Sequence, residues 1–317
     1  MQKRRWVTPA LLCFETVLSS VVAAVLMLKP GDGVALVAPA GQVRTVDRPL
    51  LDAAVALLEG WGLRVRLGVE TDHHFYLAGE DRKRAAHLVS ALSDPDVRAV
   101  FCTRGGYGSA RLWPALRNAG IASPRLLVGF SDITSLHLIA QRRWPGIECV
   151  HGPNLATAQL HGDHAIVNRD ALHRALFDWQ PETVTLQTVV SGRARGPLVG
   201  GCLSLVAAAM GTPYQLDTDN SVVLLEDTGE APYRIDRMLV HLCNGGVFDN
   251  AAGVVLGTMP GCVDPYNDLL EIVSELMTPL GLPVLAGLAT GHGDRNRAVR
   301  LNRFVELDGE RATLRFS

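Results

Sequence analysis

The chain has 317 residues, of which 48% are hydrophobic and 20% are charged, a composition typical of a globular protein with room for two domains. Its formal net charge of −2 argues against a basic surface for nucleic acid, so we expect no nucleic-acid partner. The six cysteines are scattered without a C-x-x-C pair, which predicts buried, reduced thiols rather than a disulfide framework or a zinc site.

Residues 1–26 form an N-terminal extension that can be interpreted in several ways. Basic residues at 3–5 precede an apolar run from Val7 to Leu28, and Glu15 interrupts that run. The charge of Glu15 argues against interpreting this segment as a secretory signal or as a membrane-spanning helix. We favour Met27 as the natural start, with a cleaved signal as the alternative, and we expect a cytoplasmic protein with no membrane partner.

Apolar strands and amphipathic helices alternate over the first half of the chain. The predicted strands span 33–38, 63–67, 97–103, 126–130 and 147–150, and the predicted helices span 50–61, 81–93 and 111–118. Apolar residues at helical spacing predict another helix after Ser131. This alternation is typical of a parallel α/β sheet, Rossmann-like or flavodoxin-like, with helices on both faces. Sites in such sheets form beyond the carboxyl ends of the strands.

The second half of the chain has a different pattern. A polar connection at 155–192 holds one predicted helix, 168–177, and glycine-rich sequence follows it. Short predicted strands at 222–225 and 254–256 and a predicted helix at 233–242 follow. These elements indicate a second, mixed α/β, barrel-like domain. Strands 304–307 and 312–316 predict a closing hairpin with a two-residue turn at Asp308-Gly309.

These patterns divide the chain into four parts. We predict the extension at 1–26, a nucleophile-bearing α/β domain at 27–170, a linker at 171–192 and a C-terminal domain at 193–317.

A sharp turn after the strand at 126–130 places Ser131 at its apex. A strand that turns directly into a helix exposes the apex side chain at the sheet edge and directs the first helical amides towards the space before it. A serine placed there can attack a carbonyl group. The sequence lacks the last glycine of the G-x-S-x-G motif, however, and Ser131 or Asp132 is also compatible with an ordinary helix cap, which is the commoner role.

A glycine-rich turn, Gly105-Gly106-Tyr107-Gly108, follows the strand at 97–103. It lacks the lysine and the spacing of the known phosphate-binding loops, and such a turn is often present only because it needs positive φ. If this turn lies beside Ser131, the amides of Gly106 and Asp132 provide the two donors that acyl transfer requires.

A serine nucleophile needs a base and an acid that orients the base. His292 lies between two glycines, and His151 ends a predicted strand, so spacing alone does not choose between them. Glu226 ends an apolar strand, where a carboxylate must be paired, although Arg234 or Arg237 could pair with it instead. The remaining histidine motifs are expected to be packed or solvated rather than to bind a metal, namely His137, His73-His74 and the His161-x-x-His164 pair beside Asp163.

Several short motifs occur together in a fixed order, and the set resembles the LD-carboxypeptidase family. This family comprises the muramoyl-tetrapeptide carboxypeptidases and their relatives that hydrolyse microcin C. The motifs are KPGD at 29–32, VAP at 37–39, RGGYG at 104–108, GFSDIT at 129–134, HGP at 151–153, LVGGCL at 198–203, ED at 226–227, PYRIDRML at 232–239 and GHG at 291–293.

The resemblance implies a serine carboxypeptidase that hydrolyses the amide bond before a C-terminal D-amino acid in murein tetrapeptides through an acyl-enzyme. It implies that Ser131 is the nucleophile, that His292 is the general base and that Glu226 orients His292. It places the oxyanion hole on the backbone of Gly106 and Asp132. It also implies a homodimer that acts on a small peptide and needs no metal or other cofactor.

Recognition of a free substrate carboxylate favours arginine. The candidate substrate contacts are therefore Arg104 and Tyr107 in the glycine-rich turn and Arg295 after His292, where further arginines stand at 297, 300 and 303. Two departures from the family pattern, Asn154 and the segment 298–302, could also face the substrate.

Two other functions stay open on the sequence. A microcin C-type amidase acting on aminoacyl sulfamoyl nucleotides needs an aromatic platform for the base, and Trp179 is the candidate, although a buried anchor is the more ordinary role for that residue. A non-catalytic small-ligand binding protein would also suit two α/β domains with a cleft between them.

Overall fold

The first half of the chain forms a parallel sheet of five strands with a short sixth strand at one edge. The computed structural model describes residues 25–68, 73–121, 124–265 and 267–317, so the predictions for residues 1–24 lie outside the described residues. The parallel strands are β1 (Gly33–Val37), β2 (Arg64–Leu67), β3 (Val97–Cys102), β4 (Arg125–Gly129) and β5 (Ile147–His151). Their order, β2-β1-β3-β4-β5, is the flavodoxin-like one and confirms the predicted fold of this half.

Helices cover both faces of this first sheet. They are α1 (Arg48–Gly60), α2 (Asp81–Ser93), α3 (Trp113–Leu116), α4 (Thr134–Arg143) and α5 (Ala165–Phe177). Every residue of β1 and β4 is buried as a result, which is why these strands are apolar without alternation. The edge strand β2 is largely exposed and carries arginines.

The second half forms a mixed eight-stranded sheet. Its strands are β6 (Glu182–Thr185), β7 (Gln187–Val190), β8 (Arg193–Cys202), β9 (Val222–Glu226), β10 (Gly253–Leu256), β11 (Val284–Ala286), β13 (Phe304–Asp308) and β14 (Thr313–Phe316). Strands β8 to β11 are parallel and the others pair antiparallel. Only Leu186 separates β6 from β7, yet these strands lie at opposite edges, so the sheet curls almost into a barrel. This confirms the predicted mixed, barrel-like second domain.

The two halves of the chain interlock more than the sequence suggests. The predicted linker 171–192 contains β6 and β7, whose mostly exposed or half-buried residues give no strong strand signal. A short strand β12 (Val299–Arg300), far along the chain, pairs antiparallel with β5 and extends the first sheet. The second half also contributes α6 (Leu203–Ala208), α7 (Pro232–Asn244) and α8 (Leu269–Met277).

The closing hairpin is present, but the predicted two-residue turn is wrong. Asp308 pairs with Thr313, so the loop has the four residues 309–312. The Asp308 carboxylate accepts hydrogen bonds from the amides of Glu310 and Arg311, and the Gly309 amide donates to the carbonyl of Gly192. These contacts stabilise the longer loop.

Helix α4 joins the two lobes. Its first seven residues are all buried, because the helix packs against the first sheet and also against β8 and α6. The Thr134 hydroxyl at its start accepts a hydrogen bond from the Cys202 amide, at 3.1 Å, at the end of β8. The carboxyl ends of β4, β5 and β9 therefore meet at one place. In the described part of the chain, no helix is long and apolar enough to cross a membrane.

Candidate active site

Ser131 adopts a left-handed backbone conformation, with φ of 64°, directly after β4. This conformation is uncommon for a residue other than glycine, and such strain is often found at functional sites. The preceding residue, Phe130, is extended, and a single 3₁₀ turn at 131–133 leads into α4. The cap interpretation is not supported, because neither Ser131 nor Asp132 caps α4. The Asp132 carboxylate instead accepts a hydrogen bond from the amide of Ser109, at 2.8 Å.

Asn154 supports this turn from behind. Its side-chain amide bonds both backbone groups of Phe130, accepting from the N–H at 3.3 Å and donating to the carbonyl at 3.2 Å. The side chain is buried, with 1% of the residue exposed, so Asn154 supports the turn at Ser131 and is not open to a bound molecule. Sequence reasoning identified the position as unusual but did not find this role.

The three predicted triad side chains meet in one chain of hydrogen bonds. His292 Nε2 lies 3.0 Å from Ser131 Oγ, and His292 Nδ1 lies 2.7 Å from Glu226 Oε2. The amide of His292 also donates to Glu226 Oε2, at 3.2 Å. Ser131 follows the first sheet and Glu226 ends β9 of the second, so both lobes contribute to the chain.

Electrostatics favour an imidazole that can accept a proton. Burial by itself lowers the pKa of His292, but the hydrogen bond and charge of Glu226, with the charge of Asp227, raise that pKa above its ordinary value. Glu226 is completely buried, which excludes water from its contact with His292.

The ring that lies between Ser131 and Glu226 is that of His292, not that of His151. His151 lies behind Glu226, fully buried, with its Nε2 3.6 Å from Glu226 Oε1. Burial lowers the pKa of His151 to about 4, so its ring is neutral at ordinary pH. The alternative partners of Glu226 are engaged elsewhere, because Arg234 binds Glu230 and Arg237 packs on the Tyr233 ring.

Two cavities are lined by residues near the serine in sequence or in space. One, of about 410 Å³, is bordered by His292, Phe130 and Gln159. The other, of about 340 Å³, is lined by Gly106 and the predicted contacts Arg104 and Tyr107.

The other arginines near His292 have structural contacts. Arg297 pairs with Glu182, and both Arg300 and Arg303 pair with Glu148 at 2.8 Å. Arg295 is exposed and is not among the described residues that line either cavity. The segment 298–302, which we expected could face the substrate, instead contains β12 at the edge of the first sheet.

The remaining predicted positions are separate from the triad. Trp179 lines a different cavity with Phe316, and its indole N–H donates to the carbonyl of Ser317, at 3.1 Å. His161 contacts Arg169, and among the described residues no group of three or more His, Cys, Asp or Glu side chains could hold a metal ion.

The sequence matches two family models, the LD-carboxypeptidase N-terminal domain over residues 34–152 and the LD-carboxypeptidase C-terminal domain over residues 195–307. A putative carboxypeptidase of Streptomyces coelicolor is 40% identical over 305 residues, which cover 90% of this chain and 94% of that protein. The murein tetrapeptide carboxypeptidase of Pseudomonas aeruginosa is 32% identical over 299 residues, covering 89% and 95%.

Solved structures of related proteins also match the fold of this chain. The crystal structure of muramoyltetrapeptide carboxypeptidase from Oxalobacter formigenes has a TM-score of 0.78 and 26% identity, and it covers 90% of this chain and 97% of that one. MccF in complex with glutamyl sulfamoyl guanosine has a TM-score of 0.80 at 18% identity, covering 92% and 98%, which shows a shared fold only. The chain belongs to the LD-carboxypeptidase family of peptidases.

Proposed function

We propose that this chain is a serine carboxypeptidase that releases the C-terminal D-amino acid from murein tetrapeptides during peptidoglycan recycling. The observation that carries the proposal is the hydrogen-bonded chain Ser131–His292–Glu226. The names of the related murein peptide carboxypeptidases support the substrate.

The geometry supports an acyl-enzyme mechanism. Ser131 Oγ attacks the carbonyl carbon of the scissile amide while His292 Nε2 takes its proton, and the same nitrogen then gives that proton to the leaving amine. Glu226 holds the Nδ1–H tautomer and stabilises the imidazolium that forms. Water, activated by His292, then releases the acyl group from Ser131.

The oxyanion is proposed to bind the amides of Gly106 and Asp132. Gly106 has a φ of 102°, which turns its peptide in a way that few other residues tolerate. The neighbouring Gly105 has no side chain, and a Cβ there would lie 3.1 Å from Ser131 Oγ. This clearance leaves space for a tetrahedral intermediate between the two turns.

The free carboxylate of the substrate is proposed to bind in the cavity beside Gly106. Arg104 lines this cavity with Arg44, and both guanidinium groups contact the carboxylate of Asp47. Two cations on one anion leave a net positive charge, which attracts a carboxylate. Tyr107 lines the same cavity and is proposed to contact the leaving amino acid.

Cleavage of a murein tetrapeptide, followed by mass spectrometry, tests the proposal. We expect Ser131→Ala to lower turnover on the order of a thousandfold or more while the protein stays folded, because the nucleophile is absent. A fluorophosphonate probe should label wild-type protein at Ser131 and leave the variant unlabelled. Substantial peptidase activity in Ser131→Ala would refute the nucleophile assignment.

The amidase alternative is less well supported. It needs an aromatic surface beside the nucleophile, and Trp179 lies in a cavity whose lining includes none of the triad residues. An aminoacyl sulfamoyl adenylate assayed beside the tetrapeptide separates the two functions.

The family resemblance also supports a homodimer and a cytoplasmic location. Light scattering on the purified protein measures the first property, and fractionation of cells tests the second.

A further inference from the structure

A second histidine lies behind the triad with no assigned role. His151 ends β5 in the first lobe, where its backbone is paired with Gly129 of β4 and Val299 of β12. Its imidazole therefore projects from a fixed backbone towards Glu226 of the second lobe. Both residues are completely buried, and their nearest polar atoms are 3.6 Å apart.

The two carboxylate oxygens of Glu226 have different surroundings. Oε2 accepts hydrogen bonds from the Nδ1 and the amide of His292. Oε1 has no hydrogen-bond partner among the described residues, and neither ring nitrogen of His151 has one. An unpaired buried carboxylate oxygen is unfavourable, and His151 Nε2, itself unpaired, lies 3.6 Å from it.

We propose that His151 is a positioning residue for the reaction, which directs a neutral Nε2–H towards Glu226 Oε1 and so keeps the carboxylate oriented towards His292. This inference rests on the proposed triad. A carboxylate oxygen can only accept, which assigns the proton to Nε2 of His151. At 3.6 Å the contact is electrostatic rather than a full hydrogen bond, but between two completely buried groups such a dipole helps to hold the carboxylate in its orientation.

Without this N–H, the Oε1 side of the carboxylate loses the dipole that orients it. A misoriented Glu226 no longer holds the His292 tautomer that can accept the Ser131 proton. Another side chain that supplies an N–H at position 151 should therefore restore the reaction, whereas a defect in packing would not depend on the donor.

The other ionisable groups near Glu226 are held by their own surroundings. Burial, with the charges of Glu226 and Asp227, raises the pKa of the Cys202 thiol well above its ordinary value. The Asp227 carboxylate accepts hydrogen bonds from the amides of Ser204 and Thr228. Burial lowers the pKa of His137, whose ring lies 6.3 Å from that of His151, to about 3. His137 is therefore a matched control, because it is a second buried, neutral histidine beside His151.

The test compares two replacements of similar length. His151→Gln retains an N–H donor near the position of Nε2, whereas His151→Met removes it. The readout is the second-order rate of fluorophosphonate labelling at Ser131 at pH 7, which needs no peptide substrate. We expect labelling of His151→Met to be about 10- to 100-fold slower than that of wild type, because donors to charged groups have effects of this size. His151→Gln should stay close to wild type, and so should the control His137→Leu.

Each outcome has a defined meaning. Equal losses in the Gln and Met variants would assign His151 to packing and overturn the inference. So would a wild-type labelling rate in His151→Met. If wild-type protein is not labelled at all, the proposed triad itself fails and the inference falls with it.

Discussion

Gly291 lies against the carboxylate of Glu226 with a φ of 106°. A Cβ at this position would overlap the carboxyl group that His292 needs. Position 291 therefore needs glycine for two reasons: the backbone has a positive φ, and the Glu226 carboxylate leaves no room for a side chain.

Replacement of Gly291 by alanine should disable the site. We expect Gly291→Ala to lower kcat/KM by about 100-fold or more, because displacement of Glu226 by a fraction of an ångström misorients His292. Cleavage assays on the purified variant measure the effect. The control is Gly281→Ala, at another positive-φ glycine, where a Cβ meets nothing within 4 Å. Wild-type activity in Gly291→Ala would show that the Glu226 contact is dispensable.

At the scale of elements, β12 fixes the C-terminal part of the chain to the first sheet although it has only two residues. Its Arg300 is almost completely buried and donates to Glu148 at 2.8 Å, to the carbonyl of Ala175 at 2.8 Å and to the carbonyl of Leu26 at 2.7 Å. These contacts join β5, α5 and the segment before β1 to a strand that follows His292.

Removal of this guanidinium should destabilise the protein. We expect Arg300→Met to lower the free energy of unfolding by about 3 kcal/mol, because a buried charge pair is broken and two carbonyl acceptors lose their donor. Urea unfolding at pH 7 measures the difference. Arg311→Met, at an exposed arginine 4.0 Å from Asp308, is the control and should change stability by less than about 0.5 kcal/mol. Equal effects of the two variants would contradict the anchoring role of β12.

At the scale of the whole molecule, the lobes meet over buried neutral histidines, and this makes stability depend on pH. The pKa of His137 is lowered from 6.5 to about 3 by burial. As the pH falls, the unfolded chain therefore takes up this proton before the folded protein does. The stability that neutral His137 contributes is complete above about pH 6.5 and is lost progressively towards pH 3.

His137→Leu should weaken this dependence. In the unfolded chain, His137 has the ordinary pKa of histidine and is protonated at pH 5. This proton uptake lowers the free energy of unfolding by about 2 kcal/mol for a ring that stays neutral in the folded protein. We therefore expect the difference in unfolding free energy between pH 7 and pH 5 to shrink by about 2 kcal/mol in the variant. Urea unfolding at both pH values, with wild type in parallel, measures this. An unchanged difference would mean that His137 takes up its proton equally in the folded and unfolded states, which would contradict a pKa lowered by burial.

Much of the fold and the residue types of the site could be predicted from the sequence. Buried parallel strands are continuously apolar, and this pattern is visible in the sequence. The predicted bounds of β1, β3, β4 and β9 therefore lie close to the observed ones. The turns that carry Ser131 and Gly106 stood out for the same reason, since each directly follows such a strand. Edge strands were missed, because β6 and β7 are mostly exposed or half-buried and their pairing partners are distant in sequence.

Other features were decided only by tertiary structure. The residues alone did not separate His292 from His151, because the choice depends on which ring lies between Ser131 and Glu226 across two lobes. They also did not show that Asn154 and Arg300 support the fold rather than the substrate. A sequence records which side chains are apolar at which spacing, and that determines strands, helices and their buried faces. The distance between groups more than 60 residues apart is fixed only when both sheets pack around α4.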